Sequence, residues 1–245
     1  MYANTIQLCI KKLRAAFEKD HRINLHHSHI ELYSRINTLV LEGSVPNITI
    51  KRLANHIARQ IVDGDFVIED ALRIEGQSLG DKELKDKVTH ILGQEPLFAD
   101  HTILVRIDGD VHMIHDTRSN TNRILASIKN GIISLSGTVN SINHRRFAEV
   151  LMWWIPGCQQ VNNNLQVVPT QSDDDDTLTD AIRMVLEKDP LVHASQLRIG
   201  TMAGVVELNG YLPSEEEHLF AVRDTWTVPG VEDVRDNIQV GSYAL

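Results

Sequence analysis

Two groups of side chains in this sequence have the types and spacing that chemistry needs. His112 and His115 stand in DGDVHMIHD, flanked by Asp110 and Asp116. Imidazole and carboxylate are ordinary ligands of a transition ion, but such an ion takes three or four convergent donors. A spacing of three puts the two rings on one face of a helical turn or on opposite faces of a strand. This is a weak metal candidate beside the plain reading of a solvated loop. The second group lies in NHRRFAEVLMWWIPG, residues 143–157, where Arg145 and Arg146 precede Trp153 and Trp154 on one amphipathic stretch. Indole favours the membrane interface and Arg meets phosphate, so these residues are candidates for a lipid headgroup or a partner protein.

Other polar clusters carry less. His26, His27 and His29 precede the first predicted strand among twelve histidines in all. Histidine titrates near neutrality, so they suit a pH sensor as well as an ordinary surface loop. The run from Ser172 through four aspartates to Thr177 lacks the ligand alternation and the glycine of a calcium loop; it reads as a linker ending in a helix cap. Cys9 and Cys158 both fall in apolar register and read as buried, inert thiols. No glycine-rich phosphate loop, nucleophile elbow, HExxH or CxxC is present, so neither an enzyme nor a cofactor is expected.

The elements that hold these residues repeat. Gly43, Gly137 and Gly210 each close a short alternating hairpin, and eleven residues later stand Ala54, Ala148 and Ala221. Twenty residues after the last two of those glycines the chain reads Ile155-Pro156-Gly157-Cys158 and Val228-Pro229-Gly230-Val231. The first copy has Val62-Asp63-Gly64 instead, one residue late and without proline. From that turn glycine, apolar residues recur at the same three offsets in all copies: Ile68, Leu72, Ile74; Val161, Leu165, Val167; Val234, Ile238, Val240. Upstream of each hairpin runs a stripe of helical period: Ile6, Cys9, Ile10, Leu13, Phe17; Leu84, Val88, Ile91, Leu92; Leu178, Ile182, Val185, Leu186. Gly131 and Gly204 open the hairpin turns of the last two copies, and Asn37 takes that place in the first.

The predicted unit is helix, strand, strand, helix, strand, an α+β arrangement with two helices on one face of a small sheet. Three tandem copies occupy residues 1–75, 80–169 and 174–241. Units of this size are marginal alone, so the three are expected to pack together. The second copy is 21 residues longer than the third between its first helix and its hairpin glycine, which places an insertion at about 108–127, extending the first strand into a protruding loop or hairpin. Aligning the copies puts Ala148, Leu151, Met152 and Ile155 on the core face, Trp153 and Trp154 on the solvent side, and Trp226 level with Trp153. The competing reading is that the tryptophans pack one unit, or one subunit, against the next.

This order of elements, the repeated glycines and the Val-Pro-Gly-Val turn resemble the BON domain, named for bacterial osmotically inducible and nodulation proteins. The resemblance implies a non-catalytic, phospholipid- or membrane-associated module, often in envelope-stress proteins, with Arg145, Arg146, Trp153, Trp154 and Trp226 as the contact set. It also leaves open a cytoplasmic scaffold or a sensor of a small ligand or ion, since some cytoplasmic relatives respond to potassium.

Bulk properties set the partners and the compartment. A net charge of −9 over 245 residues argues against nucleic acid. A hydrophobic share of 42% and a charged share of 23% are those of a folded chain. No apolar run approaches the ~20 residues of a membrane span. The start MYANTIQLCIKKLRAAFEKD is a periodic helix rather than a signal peptide. Taken as the natural start, it implies a cytoplasmic protein, peripheral to the inner membrane, or a periplasmic one if the native N-terminus is missing.

Overall fold

A computed structural model describes residues 2–62, 66–76, 79–117 and 122–241. The expected first-copy turn at Asp63-Gly64, residues 77–78 of the first linker and residues 118–121 of the insertion lie outside the described residues. The chain divides into two bodies, Met1–Gly76 and Gln77–Leu245.

The first body runs α1 (Tyr2–Lys19), β1 (His29–Arg35), β2 (Thr38–Val45), α2 (Ile48–Ile61), β3 (Val67–Ile74). β2 is central, antiparallel to β1 and parallel to β3. Leu13 and Phe17 of α1 and Leu53 and Ala54 of α2 are buried with Leu39, Leu41 and Leu72 of the sheet. The stripes read from the sequence are thus core faces.

The second body holds two such units. One comprises α3 (Asp81–Gln94), β4 (Thr102–Ile107), β5 (Asp110–His115), β6 (Arg123–Lys129), β7 (Ile132–Val139), α4 (Ile142–Trp153) and β8 (Gln160–Val167). The other comprises α5 (Asp175–Lys188), β9 (Leu197–Met202), β10 (Val205–Leu212), α6 (Glu215–Thr227) and β11 (Asp233–Val240). The sheets are ordered β5-β4-β6-β7-β8 and β11-β10-β9, and the class is α+β. Among the described residues no helix is long and apolar enough to cross a membrane.

The insertion lies further upstream than its expected place at 108–127. A two-residue turn at Asn130-Gly131 pairs β7 with β6, so the strand matching β1 and β9 is Arg123–Lys129. Thr102–Ile107 belongs to the addition: β4 pairs parallel to β6 and antiparallel to β5. The sheet is widened by two strands, and β5 becomes its edge.

The three units share hydrogen bonds residue for residue. After the first helix, a carboxylate accepts the N–H two residues on: Asp20 from Arg22, Glu95 from Leu97, Asp189 from Leu191. Asn47, Ser141 and Ser214 cap the second helix by accepting from Ile50, His144 and Glu217. In the third strand Asp70, Asn163 and Asp236 each accept from the N–H two residues on, Leu72, Leu165 and Ile238. Gly43, Gly137 and Gly210 hold φ of 123°, 123° and 149°, where a Cβ would collide with the carbonyl oxygen of His29 or Arg123 on the paired strand, or of Gln196 just before β9. That close approach is why glycine recurs there.

Candidate functional site

The helix α4 begins at the Ser141 cap and buries Ile142, Phe147, Ala148, Leu151 and Met152, which fixes its outer face. Arg145 is exposed and Trp153 half-buried, two turns apart. Glu149 lies between them and accepts the Trp153 indole N–H at 3.4 Å.

Two other members of the expected contact set, Arg146 and Trp226, are not presented to solvent. Arg146 is only 5% exposed; its Nε donates to the Pro229 carbonyl at 2.9 Å and its guanidinium meets Asp173 at 2.6 Å. It joins α4 to the linker and to the turn after α6. Gly230, at φ 100°, leaves room for that guanidinium, since a Cβ there would lie 2.9 Å from it. Trp226 is 3% exposed. The solvent-side position expected for it fails because α6 is covered by α5 and by α4. Trp154 is half-buried and donates its indole N–H to Asp224 at 3.2 Å, with its ring edge-on to Phe147.

Asp224 is fully buried. Burial, reinforced by the neighbouring Asp189 carboxyl, pushes its pKa up to about 7 against the pull of Arg223. The proton is held where the second and third units meet. The aspartate run is divided among tasks there: Asp173 takes Arg146, Asp174 caps α5 through Thr177, and Asp175 accepts the N–H groups of Ala203 and Gly204 in the β9–β10 turn. Asp81 does the same for Asn130 and Gly131. Cys9 and Cys158 are buried, and burial pushes the Cys158 thiol up to about 12.

His112 and His115 do not converge. His112 is exposed on β5, and His115 Nδ1 donates to the His101 carbonyl at 3.0 Å. The histidines that do meet are His101 and His144, with Asp100 beside them; one donor atom from each lies within 4.8 Å of the others. The sequence reading missed this group because its members are separated by the added hairpin and two further strands. The signal available was Asp100-His101, separated by three residues from the helix-ending Glu95-Pro96, in the one copy that carries an insertion.

The family model for the BON domain matches residues 112–169 and 174–242. The chain belongs to the BON domain family. Among curated proteins no sequence matches it. Among the solved structures that resemble it are two of CdsD, a structural protein of the type III secretion system of Chlamydia trachomatis. For the C-terminal domain the identity is 13%, over 89% of this chain and 93% of that one, with a TM-score of 0.25. For the second the identity is 14%, over 89% and 88%, again with a TM-score of 0.25.

The two matched BON segments differ at their outward positions. Where the first has Trp153 half-exposed, the second has Trp226 buried. His144 corresponds to Glu217, which accepts from His193 Nδ1 at 2.8 Å. Arg145 corresponds to His218, which bonds Asp236 at 2.5 Å. Turn residues and caps are therefore common to the BON units, and the chemistry-bearing positions are not.

Proposed function

We propose that this protein is a non-catalytic binding protein of three BON-type units, at residues 1–75, 80–169 and 174–241. In this reading it attaches peripherally to a phospholipid surface, at the cytoplasmic face of a bacterial inner membrane, in an envelope or osmotic stress response. BON domains are binding-type domains, which supports the general part of the reading. Counting the first body as a third unit is supported by the hydrogen bonds of Asp20, Asn47 and Asp70, which repeat those of the two matched segments.

The observation that carries the lipid reading is the pairing of an exposed Arg145 with a half-exposed Trp153 on the outer side of α4. A cation placed near an interfacial indole fits a phosphate headgroup above the acyl boundary. The contact set narrows to these two residues, because Arg146, Trp154 and Trp226 are engaged within the fold.

Liposome co-sedimentation with zwitterionic and anionic vesicles, at low and high salt, tests the reading. Salt-sensitive binding to anionic vesicles, lost in Trp153→Ala and weakened in Arg145→Ala with the fold intact by circular dichroism, is the expected result. Absence of binding to either vesicle rejects it. A second reading, a scaffold for a protein partner, is favoured by β5: it is an edge strand, and its Val111 and Met113 are 46% and 60% exposed. Wild type that ignores vesicles at every salt concentration would move the case there.

A further inference from the structure

Asp100, His101 and His144 bring one potential donor atom each to within 4.8 Å of one another. His101 has no exposed surface, yet neither of its ring nitrogens has a hydrogen-bond partner. The Asp100 carboxylate reaches Nδ1 at 2.5 Å, but outside hydrogen-bonding geometry. A buried imidazole with both nitrogens unsatisfied is costly, and proteins normally avoid it unless something else fills the role.

The surroundings are arranged as they are around metal ligands. One Asp100 oxygen is held by two side-chain amides, Asn140 at 3.1 Å and Asn122 at 3.4 Å, leaving the other directed to His101. The Asn140 side-chain oxygen is itself buried without a partner. His144 is oriented by Ser141, whose Oγ meets Nδ1 at 2.5 Å, and its ring stacks on His101 at 5.3 Å between centroids. His101 is fixed through its backbone carbonyl, which accepts from His115. Outer hydrogen bonds of this kind set the orientation of ligating carboxylates and imidazoles. Phe98 and Phe147, both buried, close the inner side.

We infer that Asp100, His101 and His144 bind one divalent transition ion, zinc being the best fit, in the second BON unit. Two imidazoles and one carboxylate suit zinc with water in the fourth position. A single carboxylate is too few oxygens for calcium. The donors come from the turn before β4 and the first turn of α4, so the ion ties the added hairpin to the helix that carries Arg145 and Trp153. The other units lack the set: His144 is replaced by Ile50 in the first and by Glu217 in the third.

Zinc titrated calorimetrically into the tag-free full chain tests this. One equivalent is expected to bind, and the midpoint of thermal unfolding to rise with zinc. Asp100 is 58% exposed, so Asp100→Asn leaves the core intact. It and His144→Gln are each expected to weaken binding by about tenfold or more, and His112→Gln to leave it unchanged. X-ray absorption on the wild type reads the donors without substitution: two imidazoles with oxygen supports the site. Absence of stoichiometric binding overturns it. So does binding indifferent to Asp100→Asn and His144→Gln but lost when His26, His27 and His29 are replaced.

Discussion

The indole N–H of Trp154 donates to Oδ1 of Asp224 at 3.2 Å, the same oxygen that receives the guanidinium of Arg223. Asp224 thereby joins α4 of one unit to α6 of the next while sitting fully buried, and its carboxyl titrates near 7. In the unfolded chain the same group titrates near its ordinary value of 3.8. Between those values the unfolded state has released a proton that the folded state keeps. This group's contribution to stability therefore falls as pH rises through that window, and levels off above about 7. Asp224→Asn retains an acceptor for Trp154 and has no proton to lose. Its stability should gain on wild type steadily from pH 4 to pH 8, by about 4 kcal/mol at most. Parallel melting curves across that range would show that the buried proton is not there.

Gly137 tests the backbone argument. Its φ of 123° is one that side chains rarely adopt, and a Cβ would meet the Arg123 carbonyl oxygen across the β6–β7 pair. Gly137→Ala must shift one strand or break the pair, at about 3 kcal/mol or more. Gly200→Ala, where the added methyl meets open space, should change stability by less than about 0.5 kcal/mol. Chemical denaturation of the two variants makes the comparison.

These glycines were legible in the sequence because a φ requirement leaves a single residue type behind. Helix stripes were legible for a similar reason: Leu13, Phe17, Leu84 and Leu186 keep a 3.6-residue period, and all are buried. The added hairpin was misplaced because Thr102–Ile107 and Arg123–Lys129 both alternate as strands, and only pairing decides which is the β7 partner. Whether Trp226 is packed or exposed is not legible in the sequence, because exposure depends on the neighbouring unit rather than on the helix that bears it. Arg146 illustrates the same limit: adjacent to Arg145 in sequence, it faces the unit junction, while Arg145 faces solvent. The Asp100–His101–His144 group depended on the added hairpin's path, which no period encodes.

Asp70 and Asn163 occupy the same place in two units, but the partners differ. Asp70 holds the Nζ of Lys51 at 2.7 Å, and Lys51, 6% exposed, also reaches the Leu72 carbonyl. Asn163 instead donates to the Arg145 carbonyl at 2.8 Å and to Glu149. Removing a carboxylate from a buried ammonium costs about 3 kcal/mol, and removing a neutral amide about 1 kcal/mol. Asp70→Ala should therefore destabilise the first body far more than Asn163→Ala does the second. Lys51→Met combined with Asp70→Leu should recover most of the loss, because no charge is then buried. Urea denaturation of the single and double variants measures both.

His218 lies at the position where the second unit has Arg145, and its contribution changes over a more alkaline window than that of Asp224. Burial by itself lowers its pKa, but the Asp236 and Glu215 carboxylates outweigh that and raise it above the ordinary value. The pair with Asp236, at 2.5 Å, bridges α6 to β11. A raised histidine contributes stability in full below its unfolded pKa of about 6.5, and the contribution disappears as pH climbs through the folded value. His218→Gln should accordingly cost about 0.5–1 kcal/mol at pH 6, the range for a partly exposed pair. At pH 9 the wild-type imidazole is neutral and the two proteins should unfold nearly together. This slope rises toward acid, as the Asp224 slope does, so the wild-type curve sums the two and cannot separate them. The single variants can: Asp224→Asn pulls away from wild type on the alkaline side, whereas His218→Gln falls behind it on the acid side. Equal losses for His218→Gln at pH 6 and pH 9 would mean that the imidazole is held by packing and not by its charge.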